Sequence, residues 1–192
     1  MGQRVQVGVL LLAAGSSRRF GGDKRAAVMP NGKTVLATTL DNIKQAGFPY
    51  KLCLTDSDRD LASTLGLEQQ QLIFCRNAAT GMGATLAEGM AQIGGWQGVI
   101  IALGDMPWVQ SQTYSTLRDS LAKDTLCIPT YEGRRGNPVA FGAQFYDDLR
   151  HSSGDRGARD LIDRHPSAVN LIAVDDRGIL RDIDHLQDIQ PN

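Results

Sequence analysis

The 192-residue sequence predicts an α/β fold: a single domain built on one doubly wound, mainly parallel, Rossmann-like sheet with helices on both faces and a small insertion. Three observations predict it. Short apolar runs alternate with longer segments of helical periodicity, and parallel neighbours need crossovers of that length. A hydrophobic fraction of 42% fills one substantial core, while the chain is too short for two ordinary catalytic domains. No repeat, low-complexity tract or linker interrupts it, so residues 1–192 read as one domain.

The elements follow in order. Strands are expected at Gln6–Leu12, Tyr50–Thr55, Leu72–Cys75, Gly98–Leu103, Leu126–Pro129, Asn137–Phe141 and Asn170–Val174. Val35–Gln45 sets Leu36, Leu40 and Ile43 on one helical stripe, and Ala84–Ile93 does the same with Leu86, Met90 and Ile93. Pro107 is placed to begin a helix running to Leu121, with Tyr114, Leu117 and Leu121 inward. Regularity breaks at Thr130–Pro138, and residues 130–160 read as a lobe over the sheet's carboxyl edge, where open α/β sheets bind ligands.

Composition narrows the partners. A formal charge of -1 gives no whole-molecule attraction to nucleic acid or an anionic membrane. Cys53, Cys75 and Cys127 lie in or beside apolar runs without a C-x-x-C pair, which reads as buried free thiols and a reducing, cytoplasmic setting. The apolar start is too short for a signal peptide's h-region, no segment reaches membrane-spanning length, and Gln6 breaks the myristoylation pattern after Gly2.

Chemistry concentrates in VLLLAAGSSRRFGGDKR, residues 9–25. An apolar strand runs into a glycine-bearing turn whose N–H groups, with Arg18, Arg19, Lys24 and Arg25, suit phosphate oxygens. A solvated surface turn is the alternative. The dinucleotide fingerprint fails for want of a second glycine, and Walker A fails because Arg25 follows Lys24. Ala13, Ala14 and Gly15 keep side chains clear of a base or ribose, and Ser16 and Ser17 add small donors.

GVIIALGDMPW, residues 98–108, delivers Asp105 at a strand end, where one rigid carboxylate beside a triphosphate suits magnesium; capping the following helix is the alternative. In RDID, residues 181–184, extended backbone puts Asp182 and Asp184 on one face. They are able to complete a metal shell, or Asp184 to cap the last helix. TGMGATL, residues 80–86, opens a helix whose N–H groups and Thr85 suit a ribose or an anion, or mark an ordinary helix start. GRRGNPVAF, residues 133–141, offers arginines to a phosphomonoester or a pterin pocket. In SGDRGARDLI, residues 153–162, Asp155 caps a helix or orders Arg156, and Arg159 reaches outward.

These motifs resemble the MobA-like nucleotidyltransferases, and the molybdenum-cofactor cytidylyltransferase branch in particular. LLAAGSSRRFGGDK is similar to that family's L-A-A-G-x-S-x-R-x-G-x-x-K, ALGDMP to its A-L-G-D-M-P box, TGMGATL to G-M-G-x-S-L, and GDRGAR to G-D-x-G-A-R. The resemblance implies that Leu12, Ala13, Ala14, Gly15, Ser17, Arg19 and Lys24, with Gly81 and Gly83, bind the nucleotide. It implies that Arg19, or its neighbour Arg18, and Lys24 meet phosphates, that Asp105 and Asp184 hold magnesium, and that Thr85, Arg135, Asn137 and Arg159 face the second substrate. Asn137 stands where the branch often has histidine, and an amide carries no proton at neutral pH. His185 and Leu186 replace that family's Thr-Pro after the second aspartate, and His185 reads as a surface residue.

The implied reaction moves CMP from CTP to the terminal phosphate of molybdopterin, releasing pyrophosphate, with magnesium as cofactor and transient contact with a molybdenum hydroxylase. Ala14 in LAAG, where the guanylyl branch has LAGG, tilts the nucleotide to CTP. Two alternatives stand: a sugar- or polyol-phosphate nucleotidylyltransferase, and a non-catalytic protein delivering nucleotide and cofactor.

Overall fold

Side chains of β1 (Val7–Leu12) alternate between two hydrophobic cores, Val7, Val9 and Leu11 entering one and Leu10 and Leu12 the other. A strand buried on both faces requires cover on both, and the periodic segments supply it. The structure is a computed structural model and describes residues 6–15 and 20–189. α1 (Val35–Gln45) lays Leu36, Leu40 and Ile43 on the first face, and α2 (Arg59–Thr64) adds Ala62. α3 (Met82–Ala91) covers the second face with Leu86 and Met90. The predicted fold class is observed.

β2 (Tyr50–Thr55) and β3 (Leu72–Cys75) join β1 on one side, and β4 (Gly98–Leu103) joins on the other, all parallel. After α4 (Ser111–Ser120) come β5 (Leu126–Tyr131), β6 (Arg134–Arg135) and β7 (Val139–Gly142). β7 inserts antiparallel between β4 and β5, and β6 pairs with the far end of β5. α5 (Tyr146–Arg150) and α6 (Arg159–Arg164) then cover the second face, and β8 (Val169–Ala173) runs parallel to the other edge of β5. The eight-stranded sheet is therefore mixed but mainly parallel.

Strand ends shift by up to two residues, and two helix starts differ from the sequence reading. α3 starts at Met82, two residues before the predicted Ala84. Pro107 does not open α4, which starts at Ser111. The intervening turn drives Met106 and Val109 into the core, and the helix start is capped from far away. Buried Asp176 accepts from the Gln110 N–H (2.9 Å), the Thr113 hydroxyl (2.5 Å) and the Gly178 N–H (2.8 Å). Asp176→Ala leaves those donors unsatisfied and is expected to lower stability by about 3 kcal/mol, read as a lower urea midpoint.

Cys53, Cys75 and Cys127 are buried and free. Among the described residues no helix is long and apolar enough to cross a membrane.

Candidate active site

The exits of β1 and β4 are locked side by side. The Gly104 N–H donates to the Leu12 carbonyl at 2.9 Å, and a Cβ on Gly104 would stand 2.8 Å from that of Ala13. Only glycine allows so close an approach, which is why Asp105 emerges beside the turn after β1. Leu12, Ala13 and Ala14 are buried and Gly15 is exposed.

The late RDID segment runs past this point. The Ile183 N–H donates to the Asp105 carbonyl (3.0 Å), while the Ile183 side chain is buried with Phe20, Met29 and Val35. Asp184 is thereby carried to Lys24. The Lys24 ammonium donates to Asp105 Oδ2 (2.6 Å), the Ile183 carbonyl (2.8 Å) and Asp184 Oδ1 (3.3 Å). Desolvation alone would depress its pKa, but the Asp105 and Asp184 carboxylates more than offset this and hold it above the ordinary lysine value. The other Asp105 oxygen, Oδ1, is buried without a hydrogen-bond partner.

Asp182 is exposed, so the pairing with Lys24 falls to Asp184. Asp188 Oδ2 accepts from the Asp184 (3.0 Å) and His185 (2.7 Å) N–H groups. His185 is exposed.

Arg25 does not join the phosphate-facing cations expected of it. Its guanidinium is engaged by Asp23, Asp58 and the Ala13 carbonyl. Ser16, Ser17, Arg18 and Arg19 lie outside the described residues.

The TGMGATL turn serves first to join two segments. Gly81 has φ +124°, and a Cβ there would stand 2.6 Å from Asp155 Oδ1 and the Gly154 carbonyl. The Gly83 N–H donates to the Gly154 carbonyl (2.8 Å), and a Cβ on Gly83 would strike the Ser153 backbone at 2.4 Å. These glycines therefore seat the Ser153–Asp155 turn against α3. Thr85 is 4% exposed. Asp155 does not order Arg156, whose partners are Asp160 and Asp163, and α6 starts without a side-chain cap.

Arg134 and Arg135 are exposed on β6. Half-buried Asn137 donates its N–H to the Ile179 carbonyl (3.0 Å), a few residues before the RDID segment. Arg159 is exposed at the start of α6.

The sequence reading passed over Asp58, Glu88 and Asp176. A signal existed for Asp58: Thr55-x-x-Asp58 has capping-box spacing, and such a box is present. Glu88 accepts from the Arg76 (2.7 Å) and Asn77 (2.8 Å) N–H groups, a link across the sheet edge that no local pattern signals.

Residues 9–169 match the family described as the MobA-like NTP transferase domain. The chain belongs to that family. Relatives align with it over nearly their whole length. Nicotine blue oxidoreductase of Paenarthrobacter nicotinovorans is 24% identical over 187 residues, spanning 93% of this chain and 92% of that one. Rv0371c of Mycobacterium tuberculosis H37Rv is 28% identical, with a TM-score of 0.82 over 97% of this chain and 96% of its own. A structure of Rv0371c in complex with manganese is 26% identical with a TM-score of 0.78, covering 95% of each chain. Fold and family together support nucleotidyl-transfer chemistry for this MobA-like chain.

Proposed function

We propose that this MobA-like chain transfers CMP from CTP to the terminal phosphate of a molybdopterin-type acceptor and releases pyrophosphate, using magnesium held by Asp105 and Asp184. One observation carries the reading. At the joined exits of β1 and β4, Lys24 bridges two carboxylates while buried Asp105 Oδ1 has no partner.

That unpartnered oxygen supports a hard cation as its missing contact. Among the described residues no group of three or more His, Cys, Asp or Glu side chains could hold a metal. Two carboxylates completed by substrate oxygens and water fit magnesium's preference for few protein ligands. When bound there, the cation supplies positive charge to the triphosphate oxygens. The manganese complex of Rv0371c lends support from a relative.

An acceptor phosphate oxygen attacks the α-phosphorus of CTP, and the bond from that phosphorus to the β-bridging oxygen breaks, releasing pyrophosphate. The attacking phosphate, with a second pKa of about 6, is already largely deprotonated near neutrality. The chain therefore needs no general base. Its residues align and stabilise: Lys24 offers its ammonium to phosphate oxygens, and the turn after Leu12 presents backbone. Ala14 supports CTP, while the exposed Arg135 and the GRRGNPVAF motif support a phosphate-bearing acceptor.

The test offers each of the four nucleoside triphosphates, with magnesium or manganese, to molybdopterin, a polyol phosphate or a sugar phosphate. Pyrophosphate release and product mass are scored. A CMP–molybdopterin product is expected. Turnover only with sugar or polyol phosphates overturns the acceptor. NAD(P)H oxidation without pyrophosphate release overturns the reaction class.

A further inference from the structure

We infer that Asp58 and Arg25 form a clamp that fixes the two ends of the nucleotide loop, making both of them positioning residues for nucleotide binding. This deepens the reading above and rests on it for the identity of the ligand.

The geometry is specific. Arg25 Nε donates to Asp23 Oδ1 (2.8 Å). Nη1 donates to the Ala13 carbonyl (2.7 Å) and to Asp58 Oδ2 (2.8 Å). Nη2 donates to Asp23 Oδ2 (2.9 Å) and to Asp58 Oδ1 (2.6 Å). A guanidinium has five N–H donors in a fixed fork, and this one uses them all. Ala13 is where the chain leaves β1, and Asp23 is where it returns to cap the turn Lys24–Ala26. One side chain thus ties the exit of the loop to its return.

Asp58 anchors the tie to a third point. Its Oδ2 also accepts from the Thr55 N–H (2.8 Å) and hydroxyl (2.6 Å), at the end of β2. Burial would push this carboxyl up, but Arg25 and Thr55 more than reverse that and hold it below the usual aspartate range. The Asp58 side chain is 9% exposed and that of Arg25 12%. Because Arg25 directly precedes Ala26 and follows Lys24, its fixed backbone also aims the Lys24 ammonium at Asp105 and Asp184. Ends that are already fixed at Ala13 and Asp23 spare the ligand the cost of fixing them.

The test is a double-mutant cycle on the full chain with Asp58→Asn, Arg25→Lys and both together. Lysine keeps the charge but has three donors, too few for the five bonds. Each single variant is expected to raise the KM for the nucleoside triphosphate about tenfold, with kcat within about threefold, and the double variant to match the worse single. A folded single variant with unchanged KM and a lowered thermal midpoint shows a structural role only and overturns the clamp. Multiplying effects overturn it as well.

A second readout needs no nucleotide. Amide exchange at Lys24, Arg25 and Ala26 is expected to quicken about tenfold in Arg25→Lys, and this variant serves alone if Asp58→Asn does not fold. Unchanged exchange overturns the clamp whatever the ligand. Quickened exchange in a protein that binds no nucleoside triphosphate sustains the clamp and overturns the nucleotide reading.

Discussion

Asp105→Asn is expected to lower kcat for pyrophosphate release by about 10³-fold in a protein that stays folded. The two carboxylate oxygens stand differently: Oδ2 accepts from Lys24, and Oδ1 is buried without a hydrogen-bond partner and is the oxygen proposed to meet the cation. An amide cannot do both. With its oxygen toward Lys24, its NH₂ takes the Oδ1 position and would meet the proposed cation with a donor; with its oxygen reversed, NH₂ faces ammonium and two donors collide. The cost in stability is set by the loss of one partly buried charge-assisted bond, about 1–3 kcal/mol. Circular dichroism melting beside steady-state pyrophosphate release separates the two effects. Full activity in a folded Asp105→Asn protein removes Asp105 from the chemistry.

Lys24→Met is expected to act in opposite directions on two ligands. The kcat/KM for the nucleoside triphosphate falls by about 10²-fold or more, because an oriented cation is lost from a partly buried site. Affinity for manganese alone rises by about tenfold, because the ammonium no longer occupies Asp105 Oδ2 and no longer neutralises Asp184. Electron paramagnetic resonance of free manganese checks the second effect without turnover. A purely structural lysine would lower the melting temperature and leave manganese affinity where it was.

The sheet was legible because its signal is local. Val7 to Leu12 form one short apolar run that enters two cores, Leu36, Leu40 and Ile43 recur on one stripe, and both signals are written into short stretches of sequence. The start of α4 was not legible. Pro107 carries a helix-opening signal, yet the cap comes from Asp176, more than sixty residues away. No local rule finds a cap supplied by tertiary structure.

The candidate site divides the same way. Asp105 could be placed because a buried strand followed by Gly104 must deliver its next side chain to the sheet's carboxyl edge. Lys24 was expected there as a phosphate ligand, but its present partners are Asp105, Asp184 and the Ile183 carbonyl, a junction of three distant segments. Arg25 shows why the rest was hidden. Sequence gives a cation beside Lys24, and only the fold supplies the Asp58 that withdraws it from phosphate. Gly81 and Gly83 read as a ligand-facing turn, whereas the contact they most visibly permit is with the Ser153–Asp155 turn.

The central claim is that the Lys24, Asp105 and Asp184 junction moves a nucleotidyl group between phosphates. Incubation of the protein with α-³²P-labelled CTP, magnesium and molybdopterin tests it most directly. Label is expected on the acceptor with one pyrophosphate released per label transferred, and both are expected about 10³-fold more slowly from Asp105→Asn. Label that remains on CTP in the unaltered protein with every acceptor offered, or transfer that persists undiminished in Asp105→Asn, contradicts it.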